Sequence, residues 1–142
     1  MVEIDRASLL DSLADWGHYV DDFHRLSANH QASFLLRQGY QRFGYLLAHV
    51  AGWWEEGLRV VNEVRANANF IYVEPDTDTF NADIIQKFAQ KDEAEIATYF
   101  ESTRQKMIAM ISSLTDEILF HPLVQEWLLA DVIEHFEEHR LI

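Results

Sequence analysis

The chain has 142 residues, a formal net charge of −13 and no cysteine. That length suits one domain, and with 49% hydrophobic residues the chain can bury a core without disulfide or zinc–thiolate staples. Such a charge repels a phosphate backbone, and the lack of cysteine removes thiol nucleophiles and thiolate ligands while suiting a reducing cytoplasm. No basic stretch precedes an apolar run, and no apolar run approaches the roughly 18 residues that span a bilayer. The sequence therefore predicts a cytoplasmic protein with no nucleic-acid or membrane partner.

Leu10, Leu13, Gly17, Val20 and Phe23/His24 recur at helical spacing and predict a first helix over about residues 6–25, capped by Asp5 or Ser8. Ser27 opens a short helical piece containing Phe34-Leu35-Leu36, with Gly39 as its stop. A second long helix is expected from about Gln41 to Arg65. Its stripe is Leu46, His49/Val50, Trp53, Gly57, Val60/Val61 and Val64. Residues Asn67 to Asn81 read as a crossover loop with a little strand at Phe70-Ile71-Tyr72-Val73, long enough to suggest a lid or a topological crossing.

Asn81 is suited to cap a short helix through about Phe88. Asp92-Glu93-Ala94-Glu95 resembles a capping box ahead of a third long helix, with Ile96, Tyr99/Phe100, Thr103, Met107, Met110/Ile111 and Leu114 inward. Thr115 to His121 is a connector, and Pro122 fits the first turn of a fourth helix running to about Arg140. The predicted fold class is all-α: a four-helix bundle with one long crossover between helices two and three.

The fourth helix carries the sharpest chemistry. Its inward positions, Leu128, Val132, His135, His139 and Ile142, follow steps of four, three, four and three residues, so two histidines continue an apolar stripe. His49 lies between Leu46 and Trp53 in the same sense on the second helix. Buried imidazoles need partners. One divalent ion held by His49, His135 and His139, with an open fourth position, would serve all three. Taken singly, each histidine is more simply a solvated group near a helix end or a core ring bonded to a carbonyl.

His135-x-x-Glu138-His139 also matches the inverted zinc-peptidase motif, though those enzymes use larger, different architectures. Glu138 is the candidate base, and Glu134 or Asp131 is a candidate to orient a ligand ring. Trp53 and Trp54 are adjacent, so only one can face the core. Trp53 is expected beside His49, with Tyr45 and Tyr72 as further pocket candidates. His18, His24, His30 and His121 lack metal spacing and read as surface or local hydrogen-bonding groups.

Three segments resemble the DinB/YfiT-like superfamily of four-helix bundles. They are Leu46-Leu47-Ala48-His49-Val50-Ala51-Gly52-Trp53, then Phe80-Asn81-Ala82 leading to Asp92-Glu93-Ala94-Glu95-Ile96 and Phe100-Glu101-Ser102-Thr103-Arg104, and His135-Phe136-Glu137-Glu138-His139. The middle segment looks like the ClbS/DfsB-type branch. The resemblance implies an up-up-down-down bundle, homodimers, and nickel or zinc on the histidines that match His49, His135 and His139. It further implies a small-molecule substrate, with hydrolase or thiol-transferase chemistry.

Three functions stay open on these residues. One is a metal-dependent enzyme. Another is a metal-independent hydrolase or binder, like the ClbS branch, that protects against a small electrophilic toxin. The last is a non-enzymatic dimeric bundle.

Overall fold

A computed structural model describes residues 3–141. Ile142, the last position of the expected stripe, lies outside them. Helix starts follow local chemistry. Asp5 accepts from Ser8 N at 2.7 Å and opens α1 (Arg6–Trp16). The expected first helix breaks at Gly17–His18, where the Gly17 N–H is shared between the carbonyls of Leu13 and Ala14. The chain then resumes as α2 (Tyr19–Arg25). Ser27 caps α3 (Ala28–Gln38), and Gly39, at φ 79°, ends it in the left-handed conformation that glycine adopts without strain.

The longest helix, α4 (Phe43–Ala66), is apolar around much of its surface and packs most extensively against α6 (Glu93–Ser113). Asp92 and Glu95 form the reciprocal capping box expected at the start of α6. Between them runs α5 (Thr77–Phe88), which packs on α4. It starts four residues before the expected Asn81 cap, because Asp76 accepts from both the backbone and the hydroxyl of Thr79. The crossover shortens accordingly. Its Phe70–Val73 stretch is irregular, and no strand is present among the described residues.

After the single turn α7 (Asp116–Leu119), Pro122 begins α8 (Pro122–Leu128). This helix continues through a π-helical segment, Leu129–Glu134, into α9 (His135–Glu138). In a π-turn each N–H reaches back five residues, so carbonyls leave the ordinary ladder. Here His135 N–H bonds to the Ala130 carbonyl. The loosened carbonyls have outside donors: Trp54 Nε1 bonds to Asp131 O at 2.9 Å, and Trp16 Nε1 and Ser12 Oγ bond to Val132 O at 3.0 and 3.2 Å. Trp16 and Trp54 are fully buried, edge to face at 5.4 Å, so core packing and the widened turn are one construction. All regular elements among the described residues are helical, and none is long and apolar enough to cross a membrane.

Candidate metal centre

Three imidazoles converge where α4 faces the end of the C-terminal helix. His49 comes from the second turn of α4, His135 opens α9 directly after the π-turn, and His139 follows it. Ring centroids are 5.3 Å apart for His49–His135 and His49–His139, and 5.5 Å for His135–His139. One nitrogen from each ring lies within 4.8 Å of the others. No other group of three or more potential ligands does so among the described residues.

Two amides orient these rings. Asn81 Oδ1 faces His49 Nδ1 at 3.1 Å and accepts from Trp53 Nε1 at 2.7 Å. Gln38 Oε1 faces His139 Nδ1 at 2.7 Å, while Gln38 Nε2 donates to Glu138 O. An amide oxygen only accepts, so each contacted Nδ1 carries the proton and each Nε2 keeps its lone pair. His139 Nε2 and His135 Nδ1 are buried with no hydrogen-bond partner. Unpartnered buried nitrogens in a cluster of neutral rings fit a divalent cation, and outer amides of this kind fix ligand tautomers.

Electrostatics point the same way. Burial, then the His49 and His139 rings, depresses His135 to about 3 against an opposing contact with the Asp131 backbone, and burial, then His49, depresses His139 to about 4. Burial also lowers His49, opposed by its bond to Asn81. The rings are therefore uncharged at neutral pH, as ligation requires.

A cavity of about 400 Å³ opens beside the triad. Its walls include His49, His135, Trp53, Tyr72, Trp127 and Asp131. Asp131 was a candidate for orienting a ligand ring, as was Glu134. Glu134 is instead exposed, Asp131 Oδ2 is buried without a partner, and the orienting contacts come from Asn81 and Gln38. Burial, then the charge of Glu56, raises the Asp131 carboxyl well above the usual carboxylate range. Glu56 is itself forked by Arg59 and accepts from the Tyr72 hydroxyl at 3.2 Å.

The pocket expectations divide. Trp53 and Tyr72 line the cavity, and Glu138 lies at its edge with an exposed side chain. Trp54, not Trp53, is the core tryptophan of the pair. Tyr45 is displaced from the expected place. Its ring lies under the Arg42 guanidinium at 4.4 Å and faces a separate groove with Tyr40 and Ile85. His18, His24 and His30 are exposed, and His121 accepts locally from Leu123 N while its other ring nitrogen reaches Ala68 O, 53 residues away in the chain. Sequence reasoning missed Trp127, Gln38 and the orienting role of Asn81. Comparison with known protein families, curated proteins and solved structures finds no match to this chain.

Proposed function

We propose that this chain is a divalent-metal enzyme of the DinB-like bundle kind, acting on a small molecule by hydrolysis or thiol transfer. The convergence of His49, His135 and His139, with two ring nitrogens buried and unpartnered, carries the reading. These three residues would hold nickel or zinc, and Asn81 and Gln38 would set ring orientation. Three protein ligands leave a coordination position, through which such an ion acidifies a bound water or thiol. Glu138, at the cavity edge, would hold the proton released there. Trp53, Tyr72 and Trp127 would exclude water from an apolar part of the substrate. In this reading the helices follow an up-up-down-down order, and the protein works as a cytoplasmic homodimer.

The aromatic walls would equally serve a metal-independent hydrolase or binder of an electrophilic toxin, so metal content is the deciding measurement. Protein purified without a histidine tag is analysed by elemental mass spectrometry beside His49→Ala and His139→Ala. Stoichiometric nickel or zinc that both variants lose is the expected result. Metal-free protein that also ignores added nickel and zinc overturns the reading.

A further inference from the structure

The triad does not use Asp131. This residue is 4% exposed, its Oδ2 has no partner, and it faces the cavity. A Cβ added at Gly57 would lie 2.6 Å from that oxygen and 3.5 Å from Trp127 Cε3, so carboxyl and indole lie side by side over the bare glycine backbone. Trp127 is 6.1 Å from Trp53 and meets Tyr72 edge-on at 4.9 Å. Three aromatic rings and a buried carboxyl thus form one continuous wall. Glu74, Glu126 and Glu138 also line the cavity, and no lysine or arginine does.

The acidic groups are not gathered as a second metal site, because only the triad brings three ligand atoms within 4.8 Å among the described residues. Nor do the rings already hold a cation. The cation–π pairs among the described residues, Arg42 over Tyr45 and Lys87 over Phe88, involve none of the cavity's rings. Aromatic faces attract organic cations through their quadrupoles, and a carboxylate supplies the matching charge and hydrogen bonds. A neutral ligand could share at most a hydrogen bond with Asp131 and would leave the aromatic faces without a cation, and an anionic one would meet three glutamates.

We propose that the cavity binds a substrate bearing a positively charged amine, held by Asp131 against Trp127, Trp53 and Tyr72, with its reacting end toward His49, His135 and His139. This names the substrate class of the metal-enzyme reading and rests on that reading for its chemistry. The amine subsite itself does not need the ion.

The test uses phenethylamine, phenethyl alcohol and hydrocinnamate, followed by tryptophan fluorescence on metal-free and zinc-loaded protein, wild type and Asp131→Asn. The amine should bind about tenfold or more tightly than the alcohol in both metal states, as a charge-assisted bond supplies at least that factor. Hydrocinnamate should bind most weakly to metal-free protein. Asp131→Asn should remove the amine's advantage while leaving alcohol binding within about twofold, since only the charged partner is changed. Equal binding of amine and alcohol to wild type overturns the proposal, and so does an advantage that persists in Asp131→Asn. An advantage seen only with zinc would make the amine a metal ligand and overturns it too. The wild-type comparison needs no variant to fold. An amine preference in protein that takes up no zinc would separate this proposal from the metal reading.

Discussion

Removing the Asn81 side chain should cost metal affinity while leaving all three histidines in place. Its oxygen receives two donors, Trp53 Nε1 at 2.7 Å and His49 Nδ1 at 3.1 Å, so the indole fixes the amide and the amide fixes the ring. Loss of such an outer partner weakens metal binding about 10–100-fold, or roughly 1.4–2.8 kcal/mol. The metal-free fold should lose less than about 1.5 kcal/mol per bond, because His49 and Trp53 are only partly buried and water can replace the oxygen. Zinc affinity is measured by competition with a chromophoric chelator, and melting of the metal-free protein reports the folding cost. Asn81→Asp, which keeps the acceptor and adds charge, should retain wild-type affinity or exceed it. Wild-type zinc affinity in Asn81→Ala, or a loss in Asn81→Asp equal to that in Asn81→Ala, would refute the orienting role.

Trp54→Phe should destabilise the protein by about 1–3 kcal/mol for the orphaned Asp131 carbonyl alone, read in denaturant melts; a change below about 0.5 kcal/mol, ordinary for a surface site, would mean that the π-turn carbonyl has another donor. Gly57→Ala should cost about 1–3 kcal/mol, because its methyl would meet Asp131 Oδ2 at 2.6 Å, and most of that cost should vanish in an Asp131→Ala background. In metal-free protein the His135 and His139 rings, depressed to about 3 and about 4, should stay predominantly unprotonated by NMR between pH 7 and pH 5. Both folded values lie below the unfolded value of about 6.5, so this stability is complete above pH ~6.5 and is lost as pH falls through the folded values. The raised Asp131 carboxyl acts with the opposite sign, its contribution being present at low pH and lost as pH rises through its folded value.

The triad was legible because a step of four residues on one helix and a single position on another each continue an apolar stripe. Asn81 misled for a physical reason. A short amide after Phe80 suits a helix cap, yet Asp76 captures that role by binding Thr79 twice, and Asn81 is carried into α5 facing His49. Aspartate ahead of Thr77-Asp78-Thr79 was the available signal for the earlier start. Periodicity placed Trp53 on the inward stripe, but it could not show that Trp54 is the one in the core, held there by a carbonyl that the π-turn presents. That turn has no local signature in Leu-Ala-Asp-Val-Ile-Glu; its stabilising donors come from residues 12, 16 and 54. Asp131 reads as a polar member of the helix until Gly57, far away in sequence, is seen to leave room for its carboxyl.

A π-turn accommodates one residue more than the α-helical turn it replaces, so Leu129–Glu134 gives the C-terminal helix a local tolerance for changes in length. Deleting one residue there can be absorbed by rewinding to the α-helical pitch, with the residues beyond keeping their faces. The same deletion in α8, if the π-turn held, would turn everything after it by about 100° and carry His135 and His139 away from His49. Rewinding has its own cost: helix N–H groups would compete for the carbonyls that now serve Trp16 and Trp54 and would shift them from the buried indoles.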